Sequence, residues 1–158
     1  MHSNRRSAGD PLLFGGKIME VKISIPTKAQ IFSGGFEIAT AIEGASWSKS
    51  QLGDYGSKSG VYVLHSDGRI LYIGKTTEGE YGNFGERLRR HFQEKASQNS
   101  RVHKLLVGQT NPIRAYLLDL EDLGLMIDHG SAELTGERKA LIMEQVLIGI
   151  FTPMGNAI

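Results

Sequence analysis

Alternation of apolar and polar side chains is the first signal along this chain. Val21-Lys22-Ile23-Ser24-Ile25 has the two-residue period of a strand with one buried face, and Pro26 ends it. Between 27 and 59 the pattern is weak: Phe36 to Ile42 suits a short helix or a strand, and Gly, Ser and Asp dominate Ser46 to Ser59. From Ser59 it sharpens. Val61-Tyr62-Val63-Leu64-His65 and Arg69-Ile70-Leu71-Tyr72-Ile73 are β-rich runs joined by Ser66-Asp67-Gly68, which predicts a hairpin. After a glycine-rich loop from Glu78 to Gly82, Asn83 stands three residues before Glu86, the spacing of a helix N-terminal cap. The helix it opens is predicted to run from Phe84 to Ala96, with Phe84, Leu88 and Phe92 inward. A shorter helix is predicted over Arg101–Val107 and a third strand over Ile113–Leu120. A last helix begins after Thr135 and stops before Pro153, with Ala140, Met143, Leu147 and Ile150 as its inward stripe. The order β-β-α-α-β-α predicts an α/β (α+β) fold, a small and mostly antiparallel three-stranded sheet flanked by helices.

Composition narrows this. A length of 158 residues suits one domain, and 40% hydrophobic content supports a real core. Residues 1–18 read as a disordered tail, 19–58 as an N-terminal extension and 59–158 as the main domain. With no cysteine, disulfides, zinc–cysteine sites and thiol nucleophiles are excluded, which fits a cytoplasmic location. No apolar run reaches the ~18 residues of a membrane span, and the start lacks the long apolar stretch of a secretory signal. The net charge of +1 is small, yet it is unevenly spread. Arg69, Lys75, Arg87, Arg89, Arg90, Lys95, Arg101 and Lys104 make the middle basic, while acids dominate after Gln109. Such a middle is compatible with a phosphate-binding face, although a charged stretch is usually just solvated surface.

A tyrosine in a strand is ordinarily a half-buried packing residue, so Tyr62 and Tyr72 mean little singly. Their company changes the reading. Gly60-Val61-Tyr62 is followed by Tyr72-Ile73-Gly74-Lys75, and then by Arg87 and His91 four apart on one predicted helix. Glu144 opens Glu144-Gln145-Val146-Leu147-Ile148 on the last helix, and Pro153 and Asn156 follow. In order and spacing these motifs resemble the GIY-YIG nuclease family, with Val61 in place of the first motif's isoleucine. The resemblance covers residues 59–158 and implies a GIY-YIG-like nuclease domain.

It also implies a metal-dependent endonuclease hydrolysing DNA phosphodiester bonds, with DNA as partner, RNA left open and no membrane. Glu144 would hold one divalent ion, Mg²⁺ or Mn²⁺, because a hard ion that keeps several waters needs few protein ligands. Tyr62 would be the general base, which requires a cation nearby, Lys75 or the metal, to favour its phenolate. Tyr72 would position the water or the phosphate, and Arg87 would clamp phosphoryl oxygens. His91, one turn on, would reach the same phosphate or Tyr62, unless it is a surface histidine. Arg89 and Arg90 would meet flanking phosphates, with Lys75 and Asn156 as further substrate-side residues. A restriction-like role suits a short chain with an N-terminal extension, from which specificity, a homodimer or docking of a targeting partner protein would have to come. The alternative is a catalytically inactive nucleic-acid-binding module of the same fold. A shared site makes one geometric demand: a three-residue loop Ser66-Asp67-Gly68 that sets Tyr62 opposite Tyr72, since opposed residues share a face.

Overall fold

A computed structural model describes residues 18–39, 49–77, 82–93 and 100–156. The tail, the end of the predicted Phe36–Ile42 element, most of the Glu78–Gly82 loop and the last residues predicted for the Phe84–Ala96 helix lie outside them. The described elements are β1 (Lys22–Ile23), α1 (Lys28–Ser33), β2 (Phe36–Ala39), a 3₁₀ stretch (Lys49–Ser57), β3 (Gly60–Ser66), β4 (Arg69–Thr76), α2 (Phe84–His91) and α3 (Ser100–Val107). They continue with β5 (Ile113–Asp119), α4 (Leu120–Met126), β6 (Ile127–Asp128), α5 (Gly136–Phe151) and a 3₁₀ turn (Met154–Asn156).

The main sheet is antiparallel, in the order β2-β5-β3-β4. Its three predicted strands are joined by β2, so the sheet has four strands and the segment before residue 58 contributes its edge. β1 and β6 form a separate short antiparallel pair. The inner strand β3 is buried along its whole length, because helices cover both faces. One face packs Tyr62, Leu64, Leu71 and Leu117 against Phe84 and Leu88 of α2 and Val102 and Leu106 of α3. The other packs Val61, Val63, Ile73 and Leu118 against Ala140, Met143 and Leu147 of α5, with Ile31 and Leu123. Truncating a fully buried residue such as Leu88 to alanine is expected to cost about 2–5 kcal/mol.

Local chemistry explains where the helices start. Thr27 and Gln30 form a reciprocal capping box at α1, and Asp119 and Asp122 do the same at α4. Asn83 accepts from the Glu86 amide at 2.8 Å, and Thr135 caps α5. The predicted inward stripe of α5 holds through Leu147 but not at Ile150, which is 53% exposed. In the last turn the apolar contact passes instead to Phe151, four residues after Leu147.

The hairpin corrects the expected register. Its turn has two residues, Asp67 and Gly68, both at positive φ (51° and 71°), as a type I′ turn requires. Near the turn His65 pairs with Ile70, but Leu64 pairs with Tyr72, so Leu71 is an extra residue in β4, a β-bulge. The bulge shifts the pairing by one, and Tyr62 faces Gly74 rather than Tyr72. Because residues two apart on a strand share a face, both tyrosines still emerge on the α2 side. Their shared face was anticipated correctly; the loop that produces it was not.

Candidate active site

Gly74 lies opposite Tyr62, and its missing side chain is a space requirement. A Cβ built there would sit 2.5 Å from Tyr62 Cζ and 3.0 Å from Tyr72 Cε2. At Gly60 the requirement is stricter: φ is +152°, and a Cβ would run into the Leu118 carbonyl oxygen. The glycines of both hairpin motifs therefore let the tyrosine rings and the neighbouring strand close up.

Helix α2 brings Arg87 and His91, one turn apart, to this face. His91 is only 7% exposed, and its Nε2 is 2.7 Å from the Tyr62 hydroxyl. The ring of His91 lies 5.7 Å from that of Tyr62 and 5.3 Å, edge-on, from that of Tyr72. The tyrosine rings are 6.2 Å apart. Burial pushes His91 down to about 4, helped by the charges of Arg87 and Arg90. Burial raises Tyr62 well above its ordinary 10, with Tyr72 adding to the rise. Arg87 opposes that shift by its charge and by a hydrogen bond, and Glu144 adds to it slightly. Tyr72 is raised for the same leading reason, against Arg87 and with Glu144. At neutral pH the three rings are uncharged, beside a permanent guanidinium. Arg87 Nε is buried and has no hydrogen-bond partner among the described residues.

Asn156 reaches this site from the other end of the chain. Its Oδ1 accepts from the Ile73 amide and its Nδ2 donates to the Ile73 carbonyl, both at 2.8 Å. One side-chain amide thus completes the free edge of β4 between Tyr72 and Gly74, as a neighbouring strand would. The turn that carries it is pressed close: a Cβ at Gly155 would be 2.6 Å from the Leu71 carbonyl oxygen and 3.1 Å from the Tyr72 ring.

The chain is similar to two solved structures of the GIY-YIG N-terminal endonuclease domain of UvrC from Thermotoga maritima. Both are tyrosine-to-phenylalanine point mutants bound to the catalytic divalent cation, and each is aligned at a TM-score of 0.42. Identity is 20% and 21%, over 66% of this chain and 89% of theirs. No protein-family model matches the chain, nor does any curated protein sequence.

The structure brings together Tyr62, Tyr72, Arg87 and His91, and places Glu144 where its charge acts on both phenols. Glu144 is partly exposed and takes a hydrogen bond from Gln145 Nε2 at 3.2 Å, so the cost of burying a carboxylate is no argument for a metal there. His91 is no surface histidine. Lys75 pairs with Val61, so it leaves the ladder on the α5 side, and the cation beside Tyr62 is Arg87. Arg89 pairs with Glu86 at 2.9 Å on the flank of α2, and Arg90 acts on His91. One contributor left no signal in the sequence: His103 Nδ1 of α3 donates to the His91 carbonyl at 3.1 Å and ties down the end of α2.

The groups near Glu144 suit a hard divalent ion. Glu144 has no basic partner among the described residues, its charge acts on Tyr62 and Tyr72, and no cluster of three His, Cys, Asp or Glu is present among those residues. One carboxylate with the ion's own waters is a donor set for a hard, oxygen-preferring divalent ion and not for one held by nitrogen and sulfur.

Proposed function

We propose that this chain is a divalent-metal-dependent endonuclease that hydrolyses DNA phosphodiester bonds at the site formed by Tyr62, Tyr72, Arg87, His91 and Glu144. The observation that carries this reading is the unfilled buried donor of Arg87 beside three neutral proton-handling rings. A guanidinium cannot shed its proton, so an empty N–H in that setting calls for an anion, and a phosphodiester fits it. Hydrolysis then needs a proton taken from the attacking water and charge stabilised on the phosphoryl oxygens. Tyr62 accepts the water's proton while passing its own to Nε2 of His91, so no free phenolate is needed. The phosphate's negative charge offsets Arg87, and binding the substrate thereby raises the basicity of His91. Glu144 would hold the ion, which when bound supplies positive charge to a phosphoryl oxygen and to the leaving 3′ oxygen.

One observation favours a second assignment within this mechanism. Tyr62 has no exposed surface, whereas Tyr72 is partly exposed at the mouth. In that version Tyr72 touches the water and the Tyr62–His91 pair holds it in place. An inactive nucleic-acid-binding module would give no reason for a neutral histidine bonded to a buried phenol. A restriction-like role is compatible with the site.

Supercoiled plasmid incubated with Mg²⁺ or Mn²⁺ tests the proposal. Nicking is expected with the ion, none with EDTA, and a loss of at least about a hundredfold in Glu144→Ala. Binding without nicking would leave the inactive module. Tyr62→Phe and Tyr72→Phe separate the two assignments, because loss of a general base costs about 10²–10⁴ in rate and loss of a positioning hydroxyl far less.

A further inference from the structure

At the opposite edge of the sheet lies a cavity of about 600 Å³, within the size range of small-molecule sites. It exists because β2 is short. Strand β2 begins at Phe36, paired with Ala115, and before it the chain turns away through Gly34 and Gly35 into α1. Strand β5 runs on to Asp119, so its outer edge beyond Ala115 has no strand neighbour among the described residues.

Two close approaches fix which backbone groups point there. A Cβ at Gly35 would strike the Ala115 carbonyl oxygen, which therefore faces β2, and a Cβ at Gly60 would strike that of Leu118, which faces β3. Backbone groups alternate along a strand, so Leu117, two residues after Ala115, turns its N–H and C=O outward into the cavity. Neither group has a hydrogen-bond partner on that side among the described residues. The opening is one rung long. Ala115 is paired with Phe36, and the Asp119 amide is bonded to Asp122 Oδ2 at 2.9 Å. An extended peptide needs several rungs, so a compact planar ligand with a single donor–acceptor edge fits better.

The walls agree. Phe36 and Tyr55, with ring centroids 5.6 Å apart, supply an aromatic wall on one side of the sheet edge and Tyr116 lies on the other, with Met126 and Leu125 at the mouth. The polar groups are Asp122, whose charge acts on the Tyr55 phenol, together with Gln30 and Ser24, and among the described residues no lysine or arginine lines the cavity. From this geometry we infer that the cavity binds a nucleobase. Its ring lies against the aromatic wall, its ring nitrogen and exocyclic amine meet the Leu117 N–H and C=O, and Asp122 favours a base that carries the amine. Adenine and cytosine meet both terms, whereas thymine can meet the Leu117 edge through N3–H and O4 but brings no amine to Asp122. The base belongs either to a free nucleoside or to an unpaired nucleotide in a strand. The inference does not depend on the nuclease reading.

Adenosine titrated into isotope-labelled protein, followed by amide NMR, tests it without any cleavage assay. The expected result is a saturable shift of the Leu117 amide with adenosine, at least tenfold weaker with thymidine. Binding is expected to drop at least tenfold in Tyr55→Leu and to vanish in Leu125→Trp, which fills the mouth from a position 86% exposed and so leaves the fold intact. An unmoved Leu117 amide at millimolar adenosine would overturn the inference, as would unaltered binding in Leu125→Trp. Competition by a single-stranded oligo-dA assigns the base to a strand, and its absence assigns it to a free nucleoside. The same variants should nick plasmid at the parent rate, which keeps this result separate from that of the proposed active site.

Discussion

The sheet buries a histidine on each of its faces, and the two differ only in what they touch. His91, under α2, is 7% exposed and shares a 2.7 Å hydrogen bond with Tyr62. His65, on β3, is 3% exposed, stacks obliquely on Phe32 with ring centroids 5.4 Å apart, and leaves Nε2 without a partner among the described residues. Both are pushed down to about 4, each by burial first and then by arginine, Arg87 and Arg90 for one and Arg114 for the other. A depressed imidazole therefore does not mark a site. The partner does: His91 has a phenol through which a proton can pass, whereas His65 has the Phe32 ring and the Arg114 charge, neither of which relays one.

The sharpest way to break this comparison is to remove the charge that serves one side only. Arg87→Ala should lower metal-dependent nicking by about 10³-fold. It should also raise the pKa of His91 toward its ordinary 6.5 while leaving His65 where it is, readable in one NMR titration. If nicking persists, the empty guanidinium donor is not a phosphate site. Next in size, His91→Gln should cost about 10²-fold in kcat. His65→Leu should leave kcat unchanged and, by removing an unpaired buried polar atom, should not lower Tm. Equal losses in both variants would erase the distinction.

Acid should then treat the two alike. Each histidine has a folded pKa near 4, below its unfolded value of 6.5. Between those values the unfolded chain binds the extra proton, so stability is full above pH 6.5 and falls as pH drops to about 4. The loss from each should be of order 1–3 kcal/mol, and urea titrations of His65→Leu at pH 7 and pH 4.5 should show one share of it missing. The smallest effect concerns a tie that only the His91 side possesses. Asn156→Ala should reduce stability by about 1–3 kcal/mol and slow nicking roughly tenfold with the pH profile unchanged. A shifted profile would mean that Asn156 acts on protons rather than on strand β4.

How much of this was legible beforehand followed the range of the interactions. The hairpin, the Asn83 and Thr135 caps and the i, i+4 pair Arg87 and His91 depend on neighbours in sequence, and they could be read there. The bulge at Leu71 could not, because it is decided by which register buries both Leu71 and Tyr72 under α2 and α3. Strand β2 was ambiguous since its partner Ala115 lies far along the chain. Helix α4 was missed because seven residues, LEDLGLM, give too little periodicity, although its Asp119 and Asp122 cap was there to be seen. For the candidate site, residue types suggested which side chains to compare but not their depth: that Tyr62 is sealed, Glu144 partly open and Lys75 turned to the other side required the register.

The Asn156 amide has a further consequence, in time rather than in space. It grips Ile73 from 83 positions downstream. At ribosomal rates of 5–20 residues per second, those 83 residues take roughly 4–17 s to make. Through that interval a nascent hairpin has its turn and its tyrosines but an unlatched outer edge, open to mispairing with any other exposed strand. The latch arrives well after the hairpin it closes, and cleavage competence is expected to arrive with it.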